Sequence, residues 1–357
     1  MKVGIVGLPN AGKSTLFNAL TRAGAATAAY AFTTIDPNVA VVPIPDPRLE
    51  RVADTLGASE IVPETIEFND IAGLVPGASQ GEGLGNRFLG AIRETEAICH
   101  VVRCHTSGGV PHPEGRVDPL SDIELIETEL LAADLEQAER RLERVTKQAR
   151  SQDKEVIAER DWLERAVEAL ARGRPVRDVA VPEAALDAPR KLSALTSKPV
   201  LYVANVDEGD DEVPVAVVEH ARSEGAVAVA ISARVESELG ELDDAEAAEM
   251  RAELGIAESG LERVIHGAFE LLDLIVFFTA DTDKEAMARS LHRGSTAWQA
   301  AGEVHTDLQR TFVRAEVVAW DDLVEAGGYA GARDRGVLRT VGRDHVVADG
   351  DLVHIRV

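Results

Sequence analysis

The chain is poor in cysteine, in long apolar runs and in positive charge, and each shortage removes a class of function. Only Cys99 and Cys104 occur in 357 residues. A single C-x4-C beside a β-rich run reads as a pair of reduced thiols rather than a metal site. No run of about 18 apolar residues is present, which excludes a membrane-spanning helix and argues against a membrane partner. A net charge of −25 argues against wholesale electrostatic binding of nucleic acid or anionic lipid, and no specific DNA partner is expected. The acidity is uneven. Residues 289–357 hold nine Arg and ten Asp or Glu, a net of −1, so the other 288 residues carry −24. The C-terminal part is therefore the least repelled by RNA. The first strand candidate starts almost at Met1, which leaves no room for a signal peptide, and the expected location is the cytoplasm. The length allows two or three domains with separate cores.

What is there begins at Gly7–Ser14, G-L-P-N-A-G-K-S, directly after the apolar run Val3–Val6. This fits G-x-x-x-x-G-K-[ST]. Glycines let the backbone turn so that successive N–H groups point at a phosphate, Lys13 reaches the β- and γ-phosphates, and the Ser14 hydroxyl is placed for Mg2+. The helix-like segment from Thr15 adds its N-terminal dipole. Asn10, Ala11, Gly12, Lys13, Ser14 and Thr15 form the candidate phosphate-binding set. The pattern implies binding of a nucleoside triphosphate.

Further along, Phe32–Asn38 (F-T-T-I-D-P-N) lies where a nucleotide-sensing switch is expected, with Thr34 as the candidate Mg2+ ligand and Thr33 as the alternate. Asp70-Ile71-Ala72-Gly73 is a D-x-x-G. Asp70 would hold Mg2+ through water and the Gly73 N–H would meet the γ-phosphate. Four glycines between Gly77 and Gly85 give a segment costly to order. Leu74 stands where Ras-type enzymes carry a water-orienting Gln, so hydrolysis is very slow or another group positions the water. His112, in the loop Cys104–Pro119, is a candidate for that task.

Ser121-Asp122-Ile123-Glu124 reads as a capping box opening a long helix, and a second helix follows an interruption at Ser151–Asp153. Together they suggest an antiparallel hairpin inserted into the nucleotide domain. After the buried-strand pattern Pro199–Ala204 comes Asn205-Val206-Asp207-Glu208, at the place of the guanine-reading N-K-x-D. Glu208 replaces the Asp and Val206 the Lys. Adenine lacks both donors that such a carboxylate accepts, so the substitution makes guanine preference doubtful and adenine plausible. Ser232-Ala233-Arg234 occupies the place of the S-A-K base loop, which acts chiefly through its backbone. Beyond Leu274 short strands and turns, with a short helix expected near Lys284–Leu291, indicate a β-rich module without a catalytic constellation.

With these residues in view the chain resembles the YchF group of Obg-like ATPases, in the Obg family of P-loop proteins. The resemblance rests on the runs at Gly7–Leu20, Phe32–Asn38, Asp70–Leu89 and Arg93–Cys104, and on Ala300–Asp307, Phe312–Ala315 and Asp349–Asp351. It implies an α/β fold: a Ras-like P-loop domain over residues 1–119 and 176–273, a helical hairpin insertion over 120–175, and a C-terminal TGS domain of β-grasp type over 274–357. It implies Mg2+-dependent ATP hydrolysis in preference to GTP, with K+ beside Asn10 as an activator. Asn205 and Val206 would read adenine, with Glu208, Ser232 and Ala233 completing the base site, and Lys13 and His112 would serve hydrolysis. It also implies association with the large ribosomal subunit or the whole ribosome, in translation or stress response. The alternatives are a GTPase of the ribosome-assembly type, or an ATP-gated binding module in which turnover is incidental.

Overall fold

The computed structural model describes residues 1–26, 38–71, 84–106, 112, 115–149, 153–256, 259–281 and 284–357. In chain order its strands are β1 (Lys2–Val6), β2 (Val39–Pro43), β3 (Glu60–Val62), β4 (Thr65–Asp70), β5 (Ala97–Arg103), β6 (Val200–Asn205), β7 (Val227–Ile231), β8 (Leu274–Ala280), β9 (Glu285–His292), β10 (Arg314–Ala319), β11 (Arg339–Val341) and β12 (Asp351–Arg356). The first five helices are α1 (Lys13–Ala26), α2 (Pro47–Leu56), α3 (Leu84–Arg93), α4 (Pro119–Gln148) and α5 (Lys154–Ala171). The chain divides into one unit of Met1–Val42 with Glu67–Leu271 and another of Pro43–Ile66 with Leu272–Val357.

The first unit is built on a sheet of order β2-β4-β1-β5-β6-β7. The pairings of β4, β1, β5, β6 and β7 are all parallel. Strands covered on both faces need continuous apolar sequence rather than alternation. β1 and β5 satisfy this, since Val3, Ile5 and Val6 are fully buried and every residue of β5 is buried. Parallel pairing brings the carboxyl ends of β1, β5 and β6 to one edge, where the loops after Val6, Arg103 and Asn205 emerge together.

The helical hairpin grows from that core. α4 starts at Pro119, not at Ser121. Asp118 is the N-cap, its side chain accepting from the Ser121 N–H at 3.3 Å, and proline at the first position gives up a donor that would have no intrahelical partner anyway. Ile126, Leu130 and Ala133 pack with Val6, Leu8 and Ile92, and further out Ala138 and Val145 pack with Trp162, Leu163 and Ala166 of α5. This outer cluster runs past residue 175 to include Val176, Ala185, Leu192 and Ala194.

The second unit has a sheet of order β11-β10-β12-β8-β9-β3 around Ile275, Phe277, Leu291, Ala300, Phe312 and Val353. Residues 43–66, assigned from sequence to the nucleotide domain, belong here. β3 pairs in parallel with β9, and α2, capped by Asp46, buries Leu49, Val52, Ala53 and Leu56. Arg48 reaches Asp349 at 2.6 Å, and Arg51 lies over Trp320 at 5.0 Å. Residues 285–292 are a strand, correcting the helix expected there. Pairing with β8 from Leu274↔His292 to Ala280↔Ala286 buries Ala286, Ala288 and Leu291 and overrides the local helical preference of Glu, Ala, Met and Arg.

One buried carboxylate ties the base of α4 to the segment entering β6. Asp134, fully buried, accepts from the Leu195 N–H at 2.9 Å, the Thr196 N–H at 2.8 Å and the Thr196 hydroxyl at 2.7 Å. Asp134→Ala leaves those donors without an acceptor and should lower the unfolding free energy by roughly 3 kcal/mol. Asp134→Asn, which keeps an acceptor oxygen, should lose less. Chemical denaturation of the two variants checks this, and equal losses would mean that the hydrogen bonds are not the source of the stability.

Candidate functional site

The loop between β1 and α1 is held in a shape that few residues can adopt. Gly7 and Gly12 have φ of +155° and +104°, and Asn10 sits in the left-handed region at +64°. A Cβ on Gly12 would lie 2.2 Å from Asn205 Nδ2, and one on Gly7 2.4 Å from the Val101 carbonyl oxygen. Glycine is thus required twice, for conformation and for close packing.

Asn205, at the end of β6, is the brace of this loop. Its Nδ2 donates to the Ala11 carbonyl at 2.9 Å and its Oδ1 accepts from the Ala233 N–H at 3.1 Å. It is 5% exposed, so both bonds are shielded from water. Both ends of the amide are engaged inside the protein, which makes Asn205 a strut between the glycine loop and the Ser232–Ala233 turn. Ala11 is buried and contributes its carbonyl to that strut.

Lys13 is 7% exposed and its ammonium donates to the Leu8 carbonyl at 2.8 Å. Asp70, paired in register with Ile5 of β1, faces it. Burial pushes the Lys13 ammonium below its usual range and the Asp70 carboxyl above its own, while their mutual attraction opposes both shifts. A cation and a carboxylate kept partly dehydrated suit a ligand that brings its own negative charge and a divalent cation. The Ser14 hydroxyl and the Asp70 carboxylate are hard oxygen donors of the kind Mg2+ takes. Among the described residues no group of three or more His, Cys, Asp or Glu is placed to hold a metal.

These residues open onto a cleft of about 770 Å3 lined by Asn10, Gly12, Lys13, Ser14, Thr15, His105, Asn205, Val206, Asp207, Glu208, Ser232, Ala233 and Arg234. The structure therefore brings together four segments that lie apart in sequence. Asp70 stands beside Lys13 at the end of β4. His112 is placed otherwise: its Nε2 lies 2.9 Å from Asp122 Oδ2 in the first turn of α4, both side chains are buried, and it does not line the cleft. Thr34 and Gly73 lie outside the described residues, as does Leu74. His105, Asp207 and Arg234 line the cleft without having been selected from sequence. The available signal was positional, because His105 leaves the carboxyl end of a buried parallel strand and Asp207 lies inside N-V-D-E.

A phosphate-sized glycine loop at the carboxyl edge of a parallel sheet, with a dehydrated lysine inside it, is the architecture of the P-loop nucleoside triphosphatases. Comparison with known proteins narrows this class. A family model described as a 50S ribosome-binding GTPase matches residues 2–148, and the YchF-GTPase C-terminal model, described as a protein of unknown function (DUF933), matches residues 274–357. The ribosome-binding ATPase YchF of Haemophilus influenzae is 48% identical over 358 residues, covering 99% of this chain and 98% of the relative. That of Bacillus subtilis is 45% identical over 362 residues, covering 100% and 99%. The solved structure of the Schizosaccharomyces pombe YchF GTPase superposes with a TM-score of 0.87 at 34% identity, covering 100% of this chain and 97% of that one. The chain belongs to the YchF family.

The state of Lys13 yields a prediction. A base whose pKa is lowered by burial destabilises the fold in full below that lowered pKa, and the cost lessens only as pH rises from there toward the ordinary lysine range. Lys13→Met should therefore raise the thermal midpoint of the nucleotide-free protein at neutral pH, while weakening triphosphate binding by about 100-fold. Thermal unfolding and equilibrium titration of the variant test both halves. A lower midpoint would show that the bond to the Leu8 carbonyl outweighs the desolvation.

Proposed function

We propose that the chain is an Mg2+-dependent ATPase that works as a nucleotide-controlled switch on the ribosome. The observation that carries the base assignment is the cleft wall at Asn205–Glu208. Asn205 is spent on bracing the glycine loop, Val206 is apolar and 5% exposed, and Glu208 is the carboxylate at the place of the guanine-reading Asp. Guanine offers two donors to a carboxylate there, whereas adenine offers none, and displacing the carboxylate by a methylene weakens the guanine pairing. The bacterial relatives, named as ribosome-binding ATPases, support both the nucleotide and the partner. A ribosomal partner, as large subunit or whole ribosome, places the protein in the cytoplasm.

In this reading Lys13 neutralises charge on the β- and γ-phosphates, and the loop N–H groups and the α1 N-terminus hold the phosphate oxygens. Ser14 and Asp70 hold Mg2+, with Thr34 as a further ligand. Mg2+ supplies charge neutralisation across the phosphates when bound. K+ beside Asn10 is the proposed activator. Thr34 and Gly73 sense the γ-phosphate and are released when it departs. The C-terminal unit, least negative in its last 69 residues, is assigned as a TGS domain of β-grasp type and as a ribosome-facing part. A second reading, an ATP-gated binding module with incidental turnover, is favoured by one observation: His112 is held on Asp122 rather than at the cleft.

Two measurements decide. Equilibrium affinities for ATP and GTP, with Mg2+ and K+ present, should favour ATP by at least about tenfold, and a clear GTP preference moves the protein to the GTPase reading. His112→Ala should reduce turnover by about 100-fold yet spare ATP-dependent ribosome association. Unchanged turnover removes His112 from catalysis.

A further inference from the structure

The exit of β5 is fastened to the exit of β6 at two points, two residues apart on each strand exit. The Cys104 N–H donates to the Asn205 carbonyl at 2.9 Å. Two residues on, Asp207 Oδ2 accepts from both the Thr106 N–H at 3.0 Å and the Thr106 hydroxyl at 3.3 Å. Between these fixed points lies His105, whose carbonyl accepts from the Nε of the buried Arg103 at 3.4 Å. With its backbone held on both sides, His105 is set against the cleft that Val206 and Glu208 also line. On the other side of the same segment the Val206 N–H donates to the Ile231 carbonyl at 2.9 Å. The N-V-D-E segment is thus the middle of three loops, and Asp207 is its link to the β5 loop.

We propose that Asp207 is a positioning residue for the nucleobase: by clamping Thr106 it fixes His105 as a wall of the base subsite, and the clamp sets how tightly and how selectively the base is held. This rests on the reading of the cleft as a nucleotide site. The chemistry suits the task. An imidazole offers a flat π face to a purine and a ring nitrogen to its edge, and a planar wall acts only if its distance from the opposite side is fixed. A carboxylate oxygen that accepts two hydrogen bonds from one residue provides such a fixture. It differs from direct base reading because Oδ2 is committed to two hydrogen bonds from Thr106.

The test uses the full-length chain with ATP, ADP and GTP as probes, reading Kd by equilibrium titration and kcat and KM by steady-state turnover. Asp207→Ala should raise Kd and KM for ATP by about tenfold with kcat changed less than about twofold, since the clamp acts on binding and not on the phosphates. Asp207→Asn keeps an acceptor for the Thr106 N–H and should stay within about threefold of the parent. His105→Ala should match Asp207→Ala, and the double variant should be no weaker than either single one, because both remove the same wall. His105→Phe, which keeps a flat ring, should restore most of the affinity.

Asp207→Asn failing as badly as Asp207→Ala would mean that the negative charge itself contacts the ligand, and the clamp would be rejected. Additive losses in the double variant would reject it equally. If Asp207→Ala does not fold, the pair His105→Ala and His105→Phe still decides: equal affinities for these two, or no loss in either, overturn the proposal. Failure of the functional reading is separable. A parent that prefers GTP refutes the ATP assignment, while the clamp is then judged by the same ratios measured with GTP.

Discussion

Everything at the cleft depends on one buried amide. Asn205 holds the Ala11 carbonyl with its Nδ2 and the Ala233 N–H with its Oδ1, and it packs so closely on Gly12 that no Cβ fits there. Hydrogen bonds shielded from water cost little to keep and much to break, because each lost partner leaves a buried polar group unsatisfied. The glycine loop, with Asn10 and Gly12 at positive φ, is a conformation that the backbone adopts reluctantly. Bracing it from β6 preorganises the phosphate cradle before any ligand arrives, so less binding energy goes into ordering it.

The same cleft stores electrostatic tension. Lys13 and Asp70 are both driven toward neutrality by burial and both retained by their mutual attraction. In the proposed reading a polyphosphate with a divalent cation would resolve this arrangement: the phosphates would give Lys13 a charged acceptor in place of the neutral Leu8 carbonyl, and the cation would give Asp70 a partner beyond Lys13. Stability of the empty protein is thereby traded for affinity, a common exchange at sites whose ligand completes the charge balance. His112 belongs to a different balance. Its contact with buried Asp122 is a well-formed pair in its own right, so recruiting it to the phosphates means giving up a satisfied interaction.

Much of this was legible in the sequence, and the pattern of success has a physical cause. The glycine loop, Asp70, the paired arm helices and the base-loop positions are read from residues close together in the chain, where spacing and chemistry are local. Residues 43–66 escaped because nothing in their composition marks a boundary: proline-rich turns and an amphipathic helix suit either unit, and long-range contacts decide, the pairing of β3 with β9 and those of Arg48 with Asp349 and Arg51 with Trp320. The strand at 285–292 escaped because Glu, Ala, Met and Arg favour helix, and its burial alternates only once β8 lies beside it. The start of α4 was misplaced by three residues because Ser121 and Glu124 imitate a cap, while Asp118 with Pro119 is the cap used.

On the proposed reading, the residues assigned to touch a nucleotide and the residues that hold them in place follow different rules. Lys13, Ser14 and Glu208 announce themselves in short motifs. Their supports act across long separations: Asn205 reaches Ala11 over 194 residues and Asp207 reaches Thr106 over 101. Phosphate grip is concentrated in one contiguous loop, where any change is visible in the motif. Base recognition is spread over the exits of β5, β6 and β7, so its walls shift when a supporting bond between loops is altered, even with every motif residue intact. A substitution at a support can thus change which base is preferred without touching the machinery that handles the phosphates, since the two parts share the Asn205 strut but not the Asp207 clamp.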